Sequence, residues 1–183
     1  MGTVMLCLSA FMVVSAGISY ASGDTGFYPL LLSALLTLLL GGFPMIFVSK
    51  ADSITTKEGF MIVVGSWVVS CVVGMFPYLI WGGEFSLVNA WFESVSGYTT
   101  TGSTILNDIE ALPRSLIFWR SSTHFIGGLG VVVFLLLVIP EASPYRLRLT
   151  NMELSALSKD GYNYKSTKVV WIIISVYLAL TVT

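Results

Sequence analysis

Apolar positions along this chain come in long unbroken blocks, not in alternating stripes. Residues 3–21 and 60–81 contain no Asp, Glu, Lys, Arg or His, and each approaches the roughly 20 residues that a helix needs to cross about 30 Å of hydrocarbon. Both are expected to span a membrane. Residues 27–48 are equally free of charge, but Pro29 and the Gly41, Gly42, Pro44 cluster predict a distorted start and a loosened end. A fourth span over 115–139 carries Arg120 and His124 in its first half. Its dry part is therefore expected at 125–139, with the opening turns in protein or at the interface. Val169 begins a fifth apolar run that stops at Thr183, which predicts that the chain is a fragment of a longer one.

Composition agrees: 55% of residues are hydrophobic, 10% are charged and the mean hydropathy is +0.86, which excludes an ordinary soluble domain. The expected fold class is all-α, with multi-pass transmembrane helices. A net charge of −1 and the lack of basic clusters interleaved with aromatics argue against a nucleic-acid partner. Tyr20-Ala21-Ser22-Gly23 loosely resembles a signal cleavage site, but no Lys or Arg precedes the apolar run, so an uncleaved span is expected. Cys7 and Cys71 lie inside apolar blocks and make neither a disulfide framework nor a zinc site. Lys50 and Lys57 fall between spans two and three, and Arg146, Arg148, Lys159, Lys165 and Lys168 between spans four and five. Those loops are expected in the cytoplasm. Residues 82–113 hold Glu84, Glu93, Asp108 and Glu110 with no Lys or Arg, so this segment is expected to face outward and gather cations.

That outward segment carries the candidate chemistry. Ser86 is placed to cap a helix over 87–96, which at 1.5 Å per residue covers about 15 Å, half a bilayer. Its C-terminal end would lie within the membrane, where unpaired carbonyls and the helix dipole favour a cation. The small residues Thr99 to Thr104 follow, with Gly102 allowing a dihedral or close approach that a side chain would forbid. Their backbone is expected to run extended with carbonyls to one side, as in filters whose carbonyl rings replace an ion's water. Non-helical backbone at this depth is tolerated only in protein or beside a water-filled cavity. Spacing alone also admits a plain extracellular loop.

The run Phe92-Glu93-Ser94-Val95-Ser96-Gly97-Tyr98-Thr99-Thr100-Thr101-Gly102, then Leu112-Pro113-Arg114-Ser115 and Gly127-Gly128-Leu129-Gly130, resembles the first pore repeat of the Trk/Ktr/HKT potassium transporter superfamily, nearest its bacterial TrkH branch. The resemblance implies four covalently linked units of outer helix, pore helix, filter and inner helix around one pore. This chain would supply two leading helices (1–50), the first unit (51–145), a cytoplasmic connector (146–168) and the start of a second unit (169–183). Within the unit, the outer helix is expected at 60–81, the pore helix at 87–96, the filter at 99–104 and the inner helix at 115–139. Gly102 matches the family's single filter glycine, and Thr100 and Thr101 match positions whose carbonyls bind K⁺, with Thr99 and Ser103 beside them. A serine at the glycine position accompanies sodium transport in the plant branch, so Gly102 implies K⁺. The resemblance also implies a bacterial inner-membrane location with the pore loop outward, a homodimer, a cytoplasmic nucleotide-binding regulatory subunit and a gate in another repeat. K⁺ is cargo; no cofactor and no enzyme activity are implied. The alternatives are a Ktr-type or sodium-coupled cation transporter, or a non-conducting assembly protein with a degenerate pore loop.

Supporting residues are Glu93, Gly97 and Arg120. Glu93 is expected to brace the filter backbone or to pair with Arg120, because an isolated buried charge is expensive. His124 is expected to hydrogen-bond a neighbouring helix rather than relay protons, and Gly127, Gly128 and Gly130 to let helices approach rather than hinge. Several of Tyr20, Tyr28, Trp67, Trp81, Trp91, Trp119 and Trp171 sit near span ends as interfacial anchors. A phosphate-binding loop fits 97–104 at every place but one: Ser103 stands where the lysine belongs. A hydrolase lacks Gly-x-Ser-x-Gly and a second histidine.

Overall fold

The computed structural model describes residues 2–47 and 56–138, with a few positions near the C-terminus (171–172, 175–177 and 179). Six helices follow in order: α1 Gly2–Ser22, α2 Phe27–Phe47, α3 Thr56–Gly74, α4 Phe76–Trp81, α5 Leu87–Tyr98 and α6 Arg114–Val138. Among the described residues there is no strand. The connector expected at 146–168, its Arg146, Arg148, Lys159, Lys165 and Lys168, and Lys50 lie outside the described residues, as does most of 169–183. Two compact units divide the chain, Met1–Gly128 and Leu129–Thr183, and the candidate site described below lies in the first.

Helices α1 and α2 form the hairpin that the first two apolar blocks predict. Both are 21 residues long, about 31 Å at 1.5 Å per residue, enough to span. Small residues set their contact: a Cβ on Gly41 would lie 2.6 Å from Met5 Cβ and 3.3 Å from the Gly2 carbonyl oxygen, so the two backbones approach as closely as glycine allows. Ser9 Oγ donates to the Ala34 carbonyl at 3.0 Å across this seam. Helix α2 runs through Gly41, Gly42 and Pro44 to Phe47, so the expected loosening does not end it. Leu39, Phe43 and Phe47 are exposed on its outer side, as a lipid-facing surface requires. Cys7 is exposed as well, whereas Cys71 is buried.

The outer helix differs from the single rod expected at 60–81. It starts earlier, at Thr56, and its hydrogen bonding is interrupted at Met75, between α3 and the six-residue α4. Pro77 is the cause, because it offers no N–H and its ring crowds the carbonyl four residues back, that of Val73. Met75 keeps helical dihedrals (φ −78°, ψ −19°), so residues 58–81 still form one apolar span. The break leaves the carbonyls around it open to side chains from other helices. Ser94 Oγ donates to the Cys71 carbonyl at 2.6 Å, and Trp119 Nε1 to the Gly74 carbonyl at 3.2 Å. Trp119 is therefore a fully buried core residue, not an interfacial anchor. Tyr20 and Tyr28, both exposed at the α1–α2 turn, do suit an interface.

Helix α6 has 25 residues, about 37 Å, and begins and ends within one residue of the expected 115–139. The core between the hairpin, α4, α5 and the start of α6 is built from Met12, Leu30, Tyr78, Phe85, Leu116 and Trp119.

Candidate functional site

Helix α5 begins where Ser86 predicts. Ser86 has extended dihedrals, and its hydroxyl accepts from the Asn89 amide at 3.3 Å. Asn89 Nδ2 in turn donates to the Glu84 carbonyl at 2.8 Å, fixing the entry turn. The helix runs two residues beyond the expected Ser96, to Tyr98. Tyr98 fills the space left by Gly74, where a Cβ would sit 2.5 Å from the tyrosine ring. Gly97 has no room for a side chain because Thr123 of α6 occupies its place, and a Cβ on Gly127 would collide with the Tyr98 carbonyl. These glycines bring α5 and α6 into backbone contact, which is the close-approach role expected of Gly127.

The end of α5 is not the row of free carbonyls that the sequence suggests. The Thr100 amide donates to the Gly97 carbonyl at 2.9 Å and the Thr101 amide to the Ser96 carbonyl at 3.0 Å, the paired bonds of a Schellman cap. Such a cap needs a left-handed residue, usually glycine, at the place held by Thr100, whose φ is +57°. A β-branched residue there is a real outlier and costs about 1–2 kcal/mol. Its hydroxyl donates to the Thr99 carbonyl at 2.7 Å. The backbone therefore turns at Thr99–Thr100 and leaves the turn only at Thr101, so the expected extended run is shorter than 99–104. Gly102 is also left-handed, with φ +76°.

Beyond the turn, side chains hold the segment from behind. Ser96 Oγ donates to the Ser103 carbonyl at 2.6 Å. Glu93, only 1% exposed, accepts from the Ile105 amide at 2.8 Å and from the Thr104 hydroxyl, and pairs with Arg120 Nε at 3.0 Å. Arg120 Nη2 donates to the Gly102 carbonyl at 3.2 Å. One ion pair thus holds the Gly102 carbonyl and the Thr104–Ile105 stretch that follows it, and Glu93 is not part of an acidic mouth. Thr99, Thr100, Thr101, Gly102 and Ser103 are exposed. Among the described residues, no donor reaches the carbonyls of Thr100 and Thr101. A separate hollow of about 280 Å³ between Trp81 and Leu112 brings Glu84 and Asp108 together.

His124 lies behind the same segment. Its Nδ1 faces the Arg120 carbonyl at 2.8 Å, one turn back on its own helix, and among the described residues the expected bond to a neighbouring helix is not made. Its Nε2 is the nearest atom to a Cβ placed on Gly102, at 3.8 Å. The phosphate-loop spacing has no matching geometry, because Gly97 lies inside the last turn of α5 and no helix follows Thr104 until Arg114.

Sequence reasoning passed over Asp24, in the turn between α1 and α2. Its Oδ2 accepts from the Ser115 amide at 3.0 Å, and its Oδ1 from the Ser115 hydroxyl at 2.9 Å, the Gly26 amide at 3.0 Å and the Ser19 hydroxyl. Burial works to raise this carboxyl, but the bonds from Ser19, Ser115 and Gly26 outweigh it and hold Asp24 below the usual carboxylate range. Its support is complete above the ordinary Asp value and is lost only as pH falls through the lowered one. A readable signal existed: α6 follows Pro113, which cannot cap a helix with its side chain, so an acceptor had to come from elsewhere.

The family described as TrkH, cation transport protein, matches residues 31–182. The Trk system potassium uptake protein TrkG of Escherichia coli K12 is 40% identical over 107 residues, covering 57% of this chain and 22% of that protein. TrkH of the same organism is 32% identical over 138 residues, covering 73% of this chain and 28% of that protein. The chain thus spans about a quarter of the length of these relatives. The crystal structure of the potassium transporter TrkH from Vibrio parahaemolyticus superposes with a TM-score of 0.77 at 24% identity, over 99% of this chain and 36% of that one, and shares the fold. An all-α integral membrane chain with this match over residues 31–182 belongs to the TrkH cation transport family.

Proposed function

We propose that this chain supplies the first quarter of a potassium-selective pore, completed by three further repeats of the same polypeptide in the bacterial inner membrane, with the loop after α5 facing outward. The observation that carries the reading is the pair of carbonyls on the exposed residues Thr100 and Thr101, free of donors among the described residues, on a segment tied elsewhere to Ser96, Glu93 and Arg120. A carbonyl held in place but not hydrogen-bonded can take over one position of an ion's hydration shell. The carbonyls of Gly102 and Ser103 each hold one hydrogen bond and have a second lone pair, so they serve as secondary ligands, with Thr99 shaping the turn. Glu84 and Asp108 would raise the local cation concentration at the mouth. The relatives named as Trk potassium uptake proteins make K⁺ the favoured cargo. A homodimer, a cytoplasmic nucleotide-binding regulatory subunit and a gate in another repeat complete the proposed assembly.

The test is Gly102→Ser in the complete reading frame. A Cβ there meets nothing closer than His124 Nε2 at 3.8 Å, so the side chain fits. The left-handed backbone does not suit it, at about 1–2 kcal/mol. Backbone relief should move the carbonyls and lower the preference for K⁺ over Na⁺ in uptake about tenfold. Unchanged selectivity would remove Gly102 from the filter.

A further inference from the structure

We propose that Asp24, in the turn of the leading hairpin, is a positioning residue for ion selectivity: it fixes the start of α6 and, through Arg120, the Gly102 backbone. Asp24 lies before the stretch that the family match covers, 31–182, and its hydrogen bonds among the described residues go to Ser19, Gly26 and Ser115. The inference rests on the filter reading above.

The geometry forms a short chain of contacts. Helix α6 lacks a capping side chain at Pro113, and the Ser115 amide finds its acceptor in Asp24, 91 residues away in sequence. The Ser115 hydroxyl bonds the same carboxylate. Gly26 closes the clamp from beneath, because a Cβ there would collide with Ser115 Oγ and lie 3.2 Å from Asp24 Oδ1. The next residue of the turn, Thr25, accepts a hydrogen bond from Trp81 Nε1 at 3.0 Å. A turn of four residues therefore grips the end of α4 and the start of α6 together. A carboxylate at a helix N-terminus also matches the helix dipole. From Ser115 to Arg120 is about 7.5 Å along the helix, and Arg120 is the residue that holds both Glu93 and the Gly102 carbonyl. A shift of α6 along its axis would be delivered to Gly102 by the guanidinium.

The substitution that tests this is Asp24→Asn. An amide keeps the shape but has one acceptor oxygen, so its NH₂ must face either the Ser115 amide or the Gly26 and Ser115 donors. The complete protein is reconstituted in vesicles at matched protein amounts, and K⁺ influx is measured against rising Na⁺. Wild-type protein is measured first: absence of K⁺ preference there would sink the filter reading itself. Given wild-type preference, Asp24→Asn should lower it about fivefold, and Ser115→Ala, which removes one bond of the clamp, about twofold. A role confined to folding would lower the amount of protein recovered and leave the preference per molecule unchanged, and that result overturns the proposal. Should Asp24→Asn fail to insert, Ser115→Ala decides alone, with wild-type preference counting against the clamp.

Discussion

Three buried hydroxyls of the leading hairpin bond within their own helices, with Ser9 crossing to Ala34, whereas the hydroxyls of Ser94, Ser96 and Thr104 in the pore unit reach other elements. In α1 and α2, Ser15, Ser33 and Thr37 donate to carbonyls one turn back on their own helices, at 2.8, 2.6 and 2.7 Å. In the pore unit, Ser94 and Ser96 reach other elements, the Cys71 and Ser103 carbonyls, and Thr104 reaches Glu93. All of these satisfy a hydroxyl that hydrocarbon would penalise. Only the second kind fixes one segment against another, because a bond within a helix survives any movement of that helix. A polar residue in a membrane helix is therefore informative about function according to where its partner lies.

The sharpest way to break this contrast is Glu93→Gln. The change keeps the acceptor for the Ile105 amide but removes the charge facing Arg120, whose side chain is 14% exposed. Leaving that cation without its partner should cost about 3 kcal/mol. Thermal unfolding of the complete protein in detergent should show a clear loss of stability, with K⁺ flux per molecule reduced. Wild-type melting and flux would mean that 104–105 is held by something other than the ion pair.

Next in size is a pair of glycine substitutions. Gly127→Ala drives a methyl into the backbone of Tyr98, whose Cα would lie 2.8 Å away, and the backbone that would have to move leads directly into Thr99 and Thr100. Gly41→Ala presses a methyl on Met5 in the hairpin, where two helices in lipid can separate slightly without disturbing a turn. About 3 kcal/mol is expected for the first and about 1 kcal/mol for the second, read from the same unfolding measurement. Uptake should fall with Gly127→Ala and persist with Gly41→Ala. Equal losses of uptake would show that the hairpin seam matters to conduction as much as the α5–α6 seam.

Local rules reached a definite depth in this chain. Uncharged blocks placed α1, α2 and α6 to within a few residues, since a membrane helix needs only length and apolarity, and Ser86 marked the start of α5. Glu93 and Arg120 were readable as partners because neither charge is affordable alone at that depth. The turn at Thr99–Thr100 was not readable: threonine is a poor left-handed residue, and what holds it there is a cap whose acceptors, Ser96 and Gly97, become available only when α5 has the right length. Asp24 and Trp119 were missed for a related reason. Their partners, Ser115 and the Gly74 carbonyl, are distant in sequence, and the second lies beside the helix break that precedes Pro77. Pro77 and Pro113 were visible as residues; the donor and acceptor vacancies they create are the signal that local pattern reading passed over.

The smallest effect gives the cleanest test of the comparison, because it sets two fully buried serines against each other. Ser33 and Ser94 have the same side chain and the same complete burial, and each donates to a carbonyl at 2.6 Å. Ser33→Ala leaves the Pro29 carbonyl with the backbone bond its helix already provides, so the change should stay within about 0.5 kcal/mol. Ser94→Ala frees the Cys71 carbonyl close to the break at Met75 and releases a contact between α3 and α5, for about 1 kcal/mol. The difference is small enough to need chemical denaturation of both variants side by side. Should the two serines prove equal, the distance in sequence between a hydroxyl and its acceptor would carry no information about how firmly α5, and the turn it leads into, is held.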